Sequence, residues 1–425
     1  MGKRVLFLSN GHGEDLNASL ILKALRHLVP DVEVAALPVV GNGQAYRHLG
    51  VEIIGPTQEL PSSGFSYINV ARLLNPRHWG KDMNPLNLVR DLFAGLFALT
   101  WGQVRAVRRF APSCDLLFAT GDVVPILFAR ITGRPFMVFL VSTSSYYEGR
   151  AKLPWLAVWG MRSRQCQAVF TRDAYTARDL QQRGMAKAQF CGYPIMDVLT
   201  PTGKPLNLSP DQPMVALLPG SRLPEATENL ILLLKLCQYI GQRQPMQCVA
   251  ALVPNLNESQ LAVMADQQGW SHQPHQALTD GTTTVTYHRN AFPDILAHCD
   301  VVVGMAGTAV EQAVGLGKPV VQIIGKGPQF TYPFADAQMR LLGESVTTIG
   351  NRPATEYLLI QAAETVVDII NNPVYLHRCR QNGQARVGPP GGARALARQI
   401  QAYLSFLQSP TVVEDTLQAG RPNSD

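Results

Sequence analysis

The sequence has no long uninterrupted hydrophobic run, although 46% of its 425 residues are hydrophobic. A membrane-spanning helix needs about 20 apolar residues in succession, and no uncharged run approaches that length, so we predict no such helix. Charge is also sparse, with 16% charged residues and a formal net charge of +6. This mild excess suits an anionic ligand or an anionic membrane surface better than nucleic acid. The apolar content argues against a mainly disordered chain.

Paired cysteines are missing too. The seven cysteines stand singly, without a CxxC pair or the His/Cys spacing of a metal site. This pattern predicts reduced, mostly buried thiols in a cytoplasmic protein. The first four residues lead directly into a short apolar segment and then a Gly- and His-rich loop. A signal peptide would need a longer apolar region there, so we expect none.

Short apolar segments alternate with helix-like segments along most of the chain, which is typical of parallel sheets covered on both faces. The pattern predicts an α/β protein with two doubly wound, Rossmann-like domains facing a cleft. A stretch with four prolines at 200–213 interrupts the alternation. The predicted strands lie at 5–9, 32–38, 51–54, 116–120, 136–142 and 168–171, then at 214–218, 247–253, 284–287, 301–303 and 319–324. We predict an N-terminal domain over 1–198, a linker over 199–213, a C-terminal domain over 214–374, closing helices over 375–408 and a disordered tail over 409–425.

Ligands in open α/β sheets bind beyond the carboxyl ends of the strands, so the loops that follow strands carry most information. The first predicted strand leads into the loop SNGHGED at 9–15, before a helix predicted over 16–28. Its glycines permit tight turns, and the helix N-terminus favours an anion or a polar sugar. The spacing matches neither a dinucleotide fingerprint nor a Walker loop. The alternative is a plain turn in which Asp15 or Asn17 caps the helix.

Two loops in the second half have the features of a phosphate site. In LLPGSRLPE at 217–225, Gly220 and Ser221 expose backbone N–H groups, and Arg222 can place its guanidinium against a diphosphate. The alternative is a surface ion pair of Arg222 with Glu225.

The other loop is VGMAGTAVEQ at 303–312, where a helix is predicted to begin near Thr308. Its free N–H groups at Gly307 and Thr308 suit a phosphate. Glu311 follows one turn later, where a carboxylate can accept both hydroxyls of a ribose. The alternatives are an ordinary cap and a first-turn acid that complements the helix dipole.

Together these loops resemble the GT-B glycosyltransferases, and more narrowly the lipid-A-disaccharide synthase family. The resemblance is carried by LLPGSRLPE, by GTAVEQAVGLGKPVV at 307–321 and by CGYPIMD at 191–197. FADAQMRLLG at 334–343 is also similar to the peptidoglycan UDP-GlcNAc transferase. The resemblance implies inverting transfer of a hexosamine, GlcNAc or an acylated glucosamine, from a UDP-sugar to a lipid-linked acceptor. It implies no cofactor besides this donor substrate, and the lack of a DxD-like pair predicts no metal.

The resemblance also implies roles for individual residues on the donor side. The diphosphate would lie near Ser221 and Arg222, phosphate at Gly307 and Thr308, and ribose at Glu311. Gln338 would lie near the sugar or the diphosphate, and residues 320–330 would line the uracil side.

The acceptor side departs from the family pattern. The family's GE.SGD is here Gly13-Glu14 followed by DLN, its ID.PDFN corresponds to ATGDVVP at 119–125, and its SP..WAW to VSTSSYY at 141–147. These differences leave the acceptor open. An inverting displacement needs a general base, for which we rank Asp122 first, His12 second and Glu14 third. Asp122 could instead be a turn or cap residue, His12 could be structural, and Glu14 could bind the acceptor.

Two further readings remain open. The chain could be a UDP-GlcNAc 2-epimerase-like isomerase or nucleotide-sugar hydrolase on the same architecture, or a UDP-sugar-binding protein without activity. Residues 86–109 carry an apolar stripe with Trp101 and three following arginines, which is typical of an interfacial helix on an anionic membrane. Phe65, Tyr67, Arg72, Arg77 and Trp79 precede it and favour the same contact. The alternative is a core helix.

Overall fold

A computed structural model of the protein describes residues 3–58, 96–327 and 330–407. It contains two mainly parallel sheets, one on each side of the predicted linker, and so confirms the α/β, GT-B-like fold class. The predictions for Phe65 to Trp79, for the first part of the 86–109 helix and for the tail lie outside the described residues.

The first sheet has seven parallel strands in the order β3-β2-β1-β4-β5-β6-β7. All five residues of β4 and of β5 are buried, as a sheet covered on both faces requires. The strands are β1 (Arg4–Ser9), β2 (Glu33–Pro38), β3 (Glu52–Ile53), β4 (Leu116–Thr120), β5 (Phe136–Leu140), β6 (Cys166–Thr171) and β7 (Ala188–Gln189). The helices are α1 (His12–Leu28), α2 (Gln44–Arg47), α3 (Leu96–Phe110), α4 (Val123–Arg130), α5 (Trp155–Arg162) and α6 (Ala174–Gln182).

The second sheet has the order β10-β11-β12-β9-β8-β13-β14-β15, and it is parallel except for β10 and β11 at one edge. Its strands are β8 (Met214–Leu218), β9 (Gln247–Leu252), β10 (Ser271–Gln273), β11 (Ala277–Thr279), β12 (Thr284–Arg289), β13 (Val301–Gly304), β14 (Val320–Ile323) and β15 (Val346–Ile349). Its helices are α7 (Glu225–Gly241), α8 (Glu258–Gln267), α9 (Phe292–His298), α10 (Thr308–Gly315), α11 (Tyr332–Leu342), α12 (Glu356–Ile370) and α13 (Pro373–Arg386). The sequence missed β7, β10, β11 and β15, which are short and mostly lack a continuous apolar run.

The end of the chain returns to the first sheet. Helix α14 (Gly392–Phe406) packs along α1, and Gln401 Nε2 donates to the Leu28 carbonyl at 3.2 Å. Phe7 of β1, Val314 of α10 and Ile400 of α14 belong to one buried apolar cluster. The two halves of the chain therefore share one buried apolar cluster.

The proline-rich connection is tied down although it forms no regular element. Asp294 of α9 accepts from the backbone N–H groups of Thr202 and Gly203 at 2.8 Å each. Within the residues described, we find no helix with the length and hydropathy that a membrane crossing needs.

Candidate functional site

The order of the strands brings the two loops predicted to bind the donor to the same edge of the second sheet. β8 and β13 are neighbours in the second sheet, so the loops at 219–224 and 305–307 leave the same edge. Met305 N–H donates to the Leu218 carbonyl at 2.8 Å. Gly220 has a φ of 105°, and a Cβ there would lie 3.1 Å from the Met305 carbonyl. The turn therefore needs glycine both for its backbone conformation and for this close approach.

The polar groups of these loops face solvent. Ser221, Arg222 and Thr308 are exposed. Glu225 is instead buried, and its Oε1 accepts from the Phe330 N–H at 3.1 Å, so the side chains of Arg222 and Glu225 have different surroundings. Arg222 is thus available to an anion that approaches the edge of the sheet.

Helix α10 begins at Thr308, as the sequence predicts, with Gly307 as its N-cap residue. Gln338 lies beneath this turn and is 4% exposed. Its Nε2 donates to the Gly307 carbonyl at 3.0 Å, and its Oε1 accepts from Gln322 Nε2 at 2.6 Å. Gln338 therefore supports the loop from below. Strand β14, expected on the uracil side, is buried throughout.

Glu311, in the first turn of α10, meets two residues of the first half of the chain. Its Oε2 accepts from Arg172 Nη2 at 3.0 Å and from the Tyr193 hydroxyl at 3.2 Å. The Arg172 guanidinium lies over the Tyr193 ring, 4.7 Å from its centroid. Burial lowers the pKa of Arg172, but Glu311, Tyr193 and Tyr147 together raise it by more, and the net shift is upward. Glu311 therefore lies where the two halves of the chain meet.

The acceptor-side candidates also converge. β1, β4 and β5 are successive neighbours, and the loops after them are linked by side chains. Asn10 Nδ2 donates to Asp122 Oδ1 at 3.1 Å, and the Ser142 hydroxyl donates to Glu14 Oε1 at 2.6 Å. His12 is exposed at the start of α1.

The loop at 141–147 is held from the other half of the chain. Arg340 Nη1 donates to the Tyr147 carbonyl at 3.0 Å, and the Arg386 guanidinium lies 3.9 Å from the Tyr146 ring centroid. The acceptor-side loop is therefore shaped by both domains.

Burial raises the pKa of both acceptor-side carboxyls. For Glu14, the Ser142 hydroxyl opposes this shift, and the nearby Asp122 carboxylate adds to it. For Asp122, the Val124 N–H and the Asn10 side chain oppose the effect of burial. A raised carboxyl pKa favours proton exchange near neutral pH, which a general base requires. Asp122 also occupies the N-cap position of α4.

The expectation that Asp15 or Asn17 caps α1 is wrong. The helix begins at His12, four residues earlier than predicted, with Gly11 as N-cap. Asp15 is buried instead, and its Oδ1 accepts from the Ser9 hydroxyl at 2.5 Å. Ser9 Oγ also lies 2.6 Å from the buried Tyr46 hydroxyl. Burial raises the pKa of Asp15 to about 7, against the opposing effect of Ser9.

Sequence reasoning missed Arg172 and Tyr193. Arg172 directly follows β6, so the rule that selected the other loops, a polar residue after a parallel strand, points to it as well. Nothing local indicated that a cation buried in the first half would reach Glu311. The buried, unpaired cysteine thiols expected from the sequence are confirmed for six of the seven, and Cys191 is half-buried. Over the described ranges, no group of three or more His, Cys, Asp or Glu side chains is arranged to hold a metal ion.

Curated proteins similar in sequence include lipid-A-disaccharide synthases. That of Geobacter sulfurreducens is 25% identical over 213 residues, which cover 47% of this chain and 52% of the relative. The synthase of Syntrophus aciditrophicus is 29% identical over 243 residues, which cover 55% of this chain and 57% of the relative. The chain thus spans about half the length of these two relatives. That of Gloeothece citriformis is 22% identical and covers 94% of this chain and 100% of the relative. No protein-family model matches the sequence.

Solved structures share the fold at low sequence identity. The calicheamicin glycosyltransferase CalG4 has a TM-score of 0.59 at 15% identity, covering 95% of this chain and 98% of that one. MurG of Acinetobacter baumannii has a TM-score of 0.52 at 14% identity, covering 94% and 99%. The UDP-GlcNAc 2-epimerase of Neisseria meningitidis, solved with UDP-GlcNAc, has a TM-score of 0.52 at 12% identity, and the match covers 95% of this chain and 100% of that one. This chain therefore has the fold of the GT-B glycosyltransferases, and its sequence is similar to the lipid-A-disaccharide synthases.

Proposed function

We propose that the protein is an inverting glycosyltransferase that moves a hexosamine from a UDP-sugar to a lipid-linked acceptor. The observation that carries this proposal is the position of Glu311. It lies one turn into a helix that begins with Gly307 and Thr308, where the second domain meets the first. The relatives and the fold support a glycosyltransferase, and the hexosamine and lipid acceptor are our extension.

The donor side can bind a sugar diphosphate through backbone and cation together. The N-terminus of α10 presents free N–H groups and the positive end of the helix dipole. The exposed Arg222 guanidinium can pair with a diphosphate oxygen. These groups would stabilise the negative charge that develops on departing UDP without reorganising during the reaction. Glu311 would accept hydrogen bonds from the ribose hydroxyls.

The acceptor side supplies the base. In a single displacement, the acceptor hydroxyl oxygen forms a bond to the anomeric carbon while the bond from that carbon to the UDP oxygen breaks. The hydroxyl proton passes to a carboxylate, and we assign this role to Asp122. Glu14, held by Ser142, would orient the acceptor. His12, exposed at the start of α1, remains the second candidate for the base.

A lipid acceptor also suits one surface of the first domain. Helix α3 buries Leu99 and Val107 but leaves Phe97 77% and Trp101 70% exposed. It packs against α4, which packs against α5, where Trp155 and Trp159 are exposed as well. Exposed basic residues on α3 and α5 accompany them: Arg105, Arg108, Arg109 and Arg162. Exposed aromatic rings among cations are typical of contact with an anionic membrane, and we propose that this face makes it.

The first experiment is calorimetric titration of the wild type and of Glu311→Ala with UDP and UDP-GlcNAc, without added metal. We expect micromolar binding by the wild type. Two hydrogen bonds to a carboxylate contribute enough that their loss should weaken binding by about 100-fold or more.

The matched control is Glu356→Ala. Glu356 is also a first-turn acid in the second domain, but it is exposed on α12, where its Oε1 accepts from the Tyr239 hydroxyl. We expect this variant to bind UDP as the wild type does. No binding by folded wild-type protein would contradict the donor assignment. An equal loss of UDP affinity in both variants would show that Glu311 acts only as a first-turn acid that complements its helix dipole, and not as a ligand of ribose. Conversion of UDP-GlcNAc without any acceptor would favour the epimerase alternative.

A further inference from the structure

Glu311 is not an isolated ligand, because a buried cation and a buried hydroxyl hold it. Arg172 is 4% exposed and Tyr193 is 3% exposed. Both donate to the same carboxylate oxygen, Oε2, at 3.0 and 3.2 Å. Two donors on one oxygen restrict the rotation of the carboxylate, and Oε1 takes part in neither of these two hydrogen bonds.

Arg172 is itself held in place. Its guanidinium lies over the Tyr193 ring, and its Nη1 donates to the Val141 carbonyl at 3.3 Å. Val141 immediately precedes Ser142, whose hydroxyl contacts Glu14. One guanidinium therefore contacts the acceptor-side loop of the first domain and the carboxylate of the second. The planar fork of arginine permits this, whereas the point charge of a lysine would not reproduce it.

We propose that Arg172 and Tyr193 are positioning residues for the donor: they hold the Glu311 carboxylate in the orientation that binds the ribose hydroxyls. This inference rests on the proposed function, since it assumes that Glu311 binds ribose. The opposite possibility is that ribose displaces Arg172. Displacement would leave a buried guanidinium without its counter-charge, which is far more costly than breaking an exposed pair. The ion pair therefore persists when the donor binds.

The test measures ribose recognition separately from overall affinity. UDP and 2′-deoxy-UDP differ by one hydroxyl, so the ratio of their dissociation constants reports on the carboxylate. We expect the wild type to bind UDP about 10- to 30-fold more tightly than 2′-deoxy-UDP, which corresponds to one hydrogen bond to a charged group. A merely structural role of Arg172 would change both constants alike and leave this ratio unchanged.

We expect Arg172→Met to reduce the ratio to about threefold or less, because the carboxylate loses its principal donor. Arg172→Lys should give an intermediate ratio, since the charge remains while the fork is lost. Tyr193→Phe removes only one hydroxyl and should lower the ratio severalfold. It also serves as the second variant if Arg172→Met does not fold. Arg178→Met is the control, because Arg178 is exposed on α6, and both constants should stay unchanged.

Two results would overturn the proposal. Folded Arg172→Met and Tyr193→Phe variants with the wild-type ratio would show that these residues do not orient Glu311. Tighter binding of UDP by Arg172→Met would show that Arg172 competes with ribose. A wild type that binds neither nucleotide would instead contradict the proposed function, and the inference with it.

Discussion

The proposed donor and acceptor sides of the protein are built in different ways. The donor side depends on backbone: a glycine turn at 220, the N-terminus of α10 and the buried Gln338 that supports it. The acceptor side depends on side chains from three separate loops, in which Asn10 meets Asp122 and Ser142 meets Glu14. A backbone-built site needs particular residues at fixed spacing, so it leaves a motif in the sequence. A site built from distant side chains leaves none.

This difference also separates the chemistry. The acceptor side contains carboxyl groups whose pKa burial raises, at Glu14, Asp15 and Asp122. The donor side carries its negative charge at Glu311, where a buried cation compensates it. Changes on the acceptor side should therefore alter proton transfer and pH dependence, and changes on the donor side should alter nucleotide affinity.

The largest effect is expected from Asp122→Asn. Removal of the base should lower the rate of sugar transfer by about 10²- to 10⁴-fold, while UDP affinity stays unchanged. The assay follows transfer of the label from radiolabelled UDP-GlcNAc to a lipid-linked acceptor, and calorimetry measures UDP binding. Asp211→Asn, at an exposed position in the linker, is the control and should be neutral. Loss of UDP binding in Asp122→Asn would break the division between the two sides, and full activity would exclude Asp122 as the base.

A smaller effect is expected from the buried Asp15. Its native pKa of about 7 lies above the ordinary value of 3.8, so between these values the native state holds more protons than the unfolded state. The protonated group stabilises the fold most at low pH, and this contribution falls as pH rises toward 7. Asp15→Asn removes the titration, and its Oδ1 can still accept from Ser9.

Between pH 5 and pH 8, the free energy of unfolding of the wild type should therefore fall by about 2–3 kcal/mol more than that of Asp15→Asn. Urea unfolding of both proteins at the two pH values measures this difference. A difference that does not change with pH would show that Asp15 does not titrate in this range. UDP affinity should be the same for both proteins at either pH, because the donor side does not share this network.

The smallest effect is expected at the exposed aromatic face of the first domain. The double variant Trp101→Ser, Trp159→Ser should bind phosphatidylglycerol vesicles about tenfold more weakly, because less apolar surface enters the interface. Co-sedimentation measures the binding, with neutral phosphatidylcholine vesicles for comparison. Tyr357→Ser is the matched control, since Tyr357 is 66% exposed on the second domain. Equal vesicle binding by the wild type and both variants would contradict the proposal that this face contacts a membrane.

Local sequence patterns determined the regular elements well where the strands are buried. Strands β4 and β8 have the predicted limits, because runs of large apolar residues suit a strand covered on both faces. Edge strands such as β10 and β15 were not predicted from the sequence, because half-exposed strands mix polar with apolar residues. The start of α1 was misplaced because His12, Gly13 and Glu14 carry no apolar period.

The sequence by itself determined the α/β class, the loops that follow the strands and the donor-like motifs, since each depends on neighbouring residues. Only the tertiary structure decided which side chains meet. Arg172 and Glu311 are 139 residues apart, and Asn10 and Asp122 are 112 apart. Such contacts follow from strand order and from the return of α14 to α1, and no local propensity encodes them. The physical reason is that a buried ion pair depends on three-dimensional proximity, whereas a helix or strand depends on the periodicity of its own residues.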